Sequence, residues 1–170
     1  MTLESSLIRI DRSTLFNPAE FLGAGWGEIP EQWEIAEQDE VLLTAVDLAT
    51  IRLETTLKGR EQLVGVRENI FRLKERGYTR LDAKILQMLW ENQSLIPESW
   101  KEETFCKTTH IFFDGTTLVD RRSGNFGVLY LLWNARGEAW EWAPRLISQY
   151  RRDNDLSAVV TVYRSDRQFI

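Results

Sequence analysis

The sequence predicts an α+β fold in which an antiparallel β-meander of about five strands packs against two or three helices. Before residue 100, apolar residues recur at three- and four-residue intervals, which is the spacing of amphipathic helices. After residue 108, short apolar segments alternate with turn residues, which is typical of strands joined by hairpins. At 170 residues, the chain has the length of a single domain.

The first part of that domain, residues 1–58, is the least regular and the most acidic. It holds eleven acidic and four basic residues, whereas residues 121–170 hold five acidic and eight basic ones. This asymmetry lets the two ends of the chain face each other, or lets one end steer a partner. Within this part, Ile51, Leu53 and Thr55 alternate with charged residues and predict a strand.

Residues 59–100 are predicted to be helical. The apolar spacing from Leu63 to Leu73 predicts a helix over residues 60–76, and Gly77 stands where that helix would end.

A second helix is predicted after Asp82, whose side chain is suited to an N-cap. Pro97 suits the first turn of a short third helix. The apolar face of the second helix consists of Ile85, Leu86, Leu89 and Trp90.

The sheet is predicted over residues 108–165, with Asp114-Gly115 as a tight turn between its first two strands. One strand is apolar on both faces and is therefore expected to be central and covered on both sides. We expect helices on one face and the N-terminal part on the other. The predicted strands are His110–Asp114, Thr117–Asp120, Phe126–Trp133, Glu138–Ala143 and Ala158–Tyr163.

No metal site, cofactor site or catalytic constellation is predicted. With one His and one Cys, the chain cannot build the usual imidazole and thiolate metal sites. A nucleophile–histidine pair would need His110, but Cys106 is four residues away, too far in an extended segment. An enzyme based on carboxylates such as Asp114 and Asp120 is the least favoured alternative, because turn chemistry already explains both.

Two aromatic side chains are candidates for binding a small ligand. Trp140 and Trp142 point to the same face of one predicted strand and could stack on a carbohydrate or a nucleobase. Burial of that face against the helices is the favoured interpretation. Nucleic-acid binding is disfavoured, because the sequence pI is about 5.1.

The expected compartment is the cytoplasm. No apolar run approaches a bilayer-spanning length, and the N-terminal residues lack the pattern of a secretory signal. A single cysteine cannot form an internal disulfide, which fits a reducing compartment. Exposed sheet edges leave homo-oligomerisation open.

Several motifs resemble those of a family of uncharacterised bacterial proteins found in environmental and candidate-phyla genomes. The motifs are RLDAKILQMLWENQSLIPESWK from Arg80, TTHIFFDGT from Thr108, VLYLLW from Val128, the Trp140/Trp142 pair and Ser157-Ala158-Val159. The similarity covers most of the chain. It implies a single domain and no known activity.

In that family, the segment matching Glu141 to Leu156 varies in a way similar to the targets of diversity-generating retroelements. The resemblance implies a binding face, so we expect its polar side chains to be exposed together. The sequence thus predicts a non-enzymatic module that presents a C-terminal surface to a protein partner. The predicted partner-binding residues are Arg145, Gln149, Tyr150, Arg151 and Asn154.

Overall fold

The computed structural model describes residues 7–23, 33–39 and 42–161, and it confirms a mixed α+β fold with a mostly antiparallel sheet. In these ranges the helices are α1 (Pro18–Gly23), α2 (Val66–Glu75) and α3 (Ala83–Glu91), with short 3-10 helices at Leu48–Thr50, Gln93–Leu95 and Glu98–Lys101. The strands are β1 (Leu7–Arg9), β2 (Trp33–Gln38), β3 (Ala45–Asp47), β4 (Arg52–Glu54), β5 (Val64–Gly65), β6 (Tyr78–Arg80), β7 (His110–Phe112), β8 (Thr116–Asp120), β9 (Phe126–Asn134), β10 (Ala139–Leu146), β11 (Tyr150–Arg151) and β12 (Asp155–Thr161).

The start of α3 and the end of α2 follow the capping signals in the sequence. α3 begins after Asp82, whose side chain accepts a hydrogen bond from the Ile85 amide. α2 is shorter than the predicted 60–76, because the chain pairs as β5 before the helix starts at Val66. Gly77 follows its C-cap with a φ of +76°, as the sequence predicts.

The main sheet contains eight strands within the described residues, more than the five expected. β9 and β10 form the predicted hairpin, in register from Gly127↔Leu146 to Asn134↔Ala139. The prediction of a simple meander is wrong, because β7 and β8 do not pair with each other. Instead, both pair antiparallel with β9.

The Asp114-Gly115 segment is therefore not a hairpin. It is an interruption, called the jog below, between two strands that run in the same direction along β9. β10 occupies one edge of β9, so β7 and β8 must share the other edge. Leu118 is six positions after Phe112, whereas their partners Gly127 and Tyr130 are only three positions apart. The jog thus holds three extra residues, a large bulge that redirects the side chains within it.

The last strand also departs from the meander. β12 runs parallel to β7 and antiparallel to β4 and β6. Its predicted start at residue 158 is three residues late, and residues 162 and 163 of the predicted strand lie outside the described residues.

The sheet is covered on both faces, as predicted for its central strand β9. Leu129 and Leu131 lie in the main core with α3 and the N-terminal segment, including Phe16 and Phe21. Val128 lies in a smaller cluster with Phe112 and α2. The N-terminal part and α3 therefore share one face, and α2 covers the other. The expectation that the helices lie on one face and the N-terminal part on the other is wrong.

Candidate functional site

A cavity of about 510 Å³ lies where β7, β11 and β12 begin and where β10 ends. Ligand sites in proteins commonly have volumes of roughly 300–1,000 Å³. The exposed side chains of Leu63 and Tyr150 are part of its wall. Its polar lining includes His110, Arg145, Gln149, Arg152, Asn154 and Asp155.

The parallel pairing of β7 with β12 brings two of these residues together. His110 is the register partner of Asp155, and the His110 amide donates to the Asn154 carbonyl at 2.9 Å. Register partners project to the same face of a sheet. The imidazole and the carboxylate therefore meet at one wall of the cavity.

The Asp155 carboxylate is the centre of this wall. Its Oδ1 lies 2.7 Å from His110 Nδ1, and its Oδ2 accepts from Arg145 Nη1 at 2.7 Å and from the Arg152 amide at 2.8 Å. Burial alone would raise the pKa of Asp155, but these hydrogen bonds and the Arg145 charge outweigh it and hold the pKa at about 2. The group is ionised at neutral pH and can only accept hydrogen bonds.

This ionisation fixes the proton on the imidazole. Both Asp155 Oδ1 and Arg145 Nη2 approach His110 Nδ1, the second at 3.0 Å, and one nitrogen cannot donate to the first while accepting from the second. Because the carboxylate has no proton to give, Nδ1 carries the hydrogen and donates to Asp155. In the neutral imidazole, Nε2 is then the acceptor.

Arg145 is held in place by aromatic rings as well as by Asp155. Its Cζ lies 4.9 Å from the ring centre of Phe112 and 5.0 Å from that of Tyr130. The His110 ring packs against the same Tyr130 at 5.1 Å. Stacking of this kind stabilises a guanidinium and limits its motion.

A second Arg–carboxylate pair lies sealed in the protein. Arg151 Nη2 donates to Asp114 Oδ1 at 2.5 Å, and the two side chains are 2% and 0% exposed. Burial lowers the pKa of Arg151 to about 10, although the Asp114 and Asp155 charges oppose the change, so the group stays cationic at neutral pH. Its Cζ lies 3.1 Å from the ring centre of Phe112.

Further polar side chains complete this sealed cluster. Ser157 Oγ donates to Asp114 Oδ2 at 2.5 Å and accepts from Asn69 Nδ2 at 3.1 Å, and Thr56 Oγ1 donates to Asn69 Oδ1 at 2.8 Å. Arg151 Nε and Nη1 have no hydrogen-bond partner among the described residues. The network ties β11 to β12 and α2 beneath the cavity.

The jog between β7 and β8 turns Asp114 into this cluster. The Gly115 amide donates to the Leu81 carbonyl at 2.9 Å, and a Cβ at Gly115 would lie 2.9 Å from the carbonyl oxygens of both Arg80 and Leu81. Only glycine allows so close an approach. The turn-like Asp-Gly dipeptide therefore reflects a packing requirement here.

Four of the five predicted partner-binding residues line the cavity: Arg145, Gln149, Tyr150 and Asn154. The expectation that all five are exposed together is wrong. Arg151 and Asn154 are buried, at 2% and 7% exposure. Arg151 is paired with Asp114, and Asn154 Nδ2 donates to the Thr108 carbonyl at 2.8 Å. Alternating side chains of a short strand face opposite ways, so a contiguous exposed segment is not expected.

The two tryptophans do not form an exposed stacking platform. Trp140 is 5% exposed and packs edge-on against Trp133, with ring centres 5.5 Å apart. Trp142 is half-buried, 4.6 Å from the ring of Phe21 in α1. The favoured burial of this pair in the core is confirmed, so the exposed stacking face that the ligand-binding alternative requires is not present.

The carboxylates considered for catalysis are engaged separately. Asp114 belongs to the sealed cluster, whereas Asp120 accepts hydrogen bonds from the Ser123 hydroxyl and the Arg122 amide, which lower its pKa. Neither lines the cavity. Within the described ranges, no group of three His, Cys, Asp or Glu residues could hold a metal ion, and no helix could span a membrane.

The His110–Asp155 pair has the orientation in which an imidazole can act as a general base. Arg145 shares the carboxylate, and its Nη2 lies 3.0 Å from His110 Nδ1, so the guanidinium occupies the space beside the imidazole. In the described part of the chain, no Ser, Thr, Cys or Tyr side chain donates a hydrogen bond to this imidazole. The described residues therefore contain no nucleophile paired with this base.

Sequence reasoning missed His110, Arg152 and Asp155 as cavity residues. The only local signal is a short turn in which the Asp155 amide donates to the Arg152 carbonyl at 3.2 Å and the Asp155 carboxylate accepts from the Arg152 amide. His110 comes from a strand 45 residues earlier.

No family model, curated protein or solved structure matches this chain. The resemblance to the bacterial family, including its variable segment, therefore stays a prediction.

Proposed function

We propose that this protein is a non-enzymatic interaction module that binds a segment of a protein partner in the cavity beside β11. The observation that carries the proposal is the convergence of Arg145, Gln149, Tyr150 and Asn154 on one cavity. These residues belong to two strands and the turns between them and β12, so the fold gathers them at one place.

The rim of the cavity supports a macromolecular partner. Tyr150 is 59% exposed and Leu63 is 48% exposed, and both line the cavity. The pairing of β11 with β5, in which Tyr150 is opposite Gly65, places them close together. Tyrosine and arginine are the residue types that most often anchor protein interfaces.

We place this function in the cytoplasm. Cys106 is a free and exposed thiol, and such a group persists most readily in a reducing compartment.

Site-specific photo-cross-linking tests the proposal. A photoreactive amino acid at position 149, which is exposed at the cavity, should form an adduct with one partner in cells. The same amino acid at Arg136, in the exposed β9–β10 loop at the other end of β10, is the matched control.

We expect the adduct at position 149 to be lost on Tyr150→Ala, and we expect no such adduct at position 136. Equal cross-linking at both positions, or none at position 149, would contradict the proposal. Arg151 should not be altered in this test, because its burial links it to folding.

A further inference from the structure

We propose that the cavity selects an acidic peptide segment, in which a carboxylate side chain lies next to an apolar one. This inference rests on the proposed function and adds the chemistry of the partner. It follows from the charges of the wall, from its unpaired donors and from its apolar rim.

The wall presents a net positive charge. The Asp155 carboxylate is already neutralised, because both of its oxygens accept hydrogen bonds from Arg145, His110 and a backbone amide. The guanidinium of Arg152 is exposed and makes no hydrogen bond or ion pair with another described side chain. One positive charge is therefore left facing the cavity, in a chain whose net charge is -5.

The unpaired polar groups around Arg152 can all donate a hydrogen bond. Within the described residues, the side chains of Ser148, Gln149 and Tyr150 line the cavity without a hydrogen-bond partner. Hydroxyl and amide groups of this kind can donate to an anion, and a guanidinium can bind a carboxylate through two parallel hydrogen bonds. The donor set thus complements a carboxylate.

The rim adds a requirement for an apolar neighbour. Leu63 and Tyr150 expose apolar surface at the same cavity. A free small anion would leave that surface in water, whereas an acidic residue followed by an apolar one would cover it.

Charge favours a peptide over a nucleic acid. A polyphosphate needs a basic surface along its whole length, and the net charge of -5 opposes such binding. A single carboxylate needs only the local field near Arg152.

Selection of displayed, terminally blocked random peptides on the immobilised protein tests the inference. We expect the enriched peptides to share an Asp or Glu beside an apolar residue. Arg152→Glu should lower the affinity for an enriched peptide by about tenfold or more, because a charge-assisted hydrogen bond is lost and repulsion between like charges is added. Arg136→Glu, which changes the net charge equally at an exposed site away from the cavity, should leave binding unchanged.

The outcomes separate the inference from the proposed function. Suppose that the enriched peptides lack an acidic residue but no longer bind the Tyr150→Ala variant. That result would overturn the inference and leave the proposed function standing. A failure to enrich any peptide would overturn both. Binding of a fluorescent single-stranded oligonucleotide that is lost in Arg152→Glu would overturn the peptide assignment in favour of nucleic acid.

Discussion

Two Arg–carboxylate pairs lie close together in this fold and differ in their access to solvent. In the sealed pair, Arg151 and Asp114 are 2% and 0% exposed. In the open pair, Asp155 is 2% exposed, but Arg145 is 17% exposed and lines the cavity. The same chemistry thus serves two purposes: the sealed pair fixes the path of the chain, and the open pair shapes a surface that a ligand can reach.

The largest expected effect comes from breaking the sealed pair. Asp114→Ala leaves the Arg151 guanidinium buried without its carboxylate, and we expect the free energy of unfolding to fall by about 3–5 kcal/mol. Urea denaturation measures this loss. The exposed pair between Arg121 and Glu34 provides the control, since solvent screens that pair and Glu34→Ala should therefore cost much less than Asp114→Ala.

A double variant sharpens the same comparison. Asp114→Leu combined with Arg151→Met removes both charges, so we expect it to be more stable than Asp114→Ala alone. A double variant no more stable than Asp114→Ala would show that the lost shape, and not the stranded charge, causes the destabilisation.

Breaking the open pair should have a smaller effect that depends on pH. The pKa of Asp155 is about 2 in the folded protein and 3.8 for an unperturbed group. Its ionised form therefore stabilises the fold by about 2 kcal/mol above pH 5, and this stability is lost as the pH falls towards 2.

We expect Asp155→Asn to be less stable than the wild type at pH 6, with the difference shrinking by pH 3. The urea midpoints of both proteins at pH 6 and at pH 3 measure this difference in stability. Asp153→Asn, which changes a more exposed carboxylate, is the matched control. A difference between wild type and Asp155→Asn that stays constant with pH would contradict this role for the Asp155 charge.

Local patterns predict several of the elements but not how the strands pair. The cap at Asp82, the apolar face of α3 and the hairpin of β9 and β10 follow from residues close together in sequence. An Asp-Gly turn signal at Asp114 does not show whether the chain reverses to form a hairpin or continues in the same direction along the neighbouring strand β9. Here it continues, because Gly115 packs against the backbone of Leu81.

The candidate site was predictable only in part for the same reason. Its C-terminal residues cluster in sequence, so Arg145, Gln149 and Tyr150 could be proposed together. Asp155 and His110 meet through a parallel pairing that no local pattern encodes. The burial of Arg151 depends on the jog at Asp114, where the sequence predicts a hairpin turn.

The smallest expected effect is at the rim of the cavity. Tyr150→Ala removes a side chain that is 59% exposed and makes no hydrogen bond within the described residues, so we expect stability to change by only about 0.5 kcal/mol. Trp140→Ala, at 5% exposure, should cost about 3–5 kcal/mol. Thermal unfolding of both variants makes the comparison. A large loss for Tyr150→Ala would mean that the ring supports the fold, and its exposure would then no longer argue for a binding role.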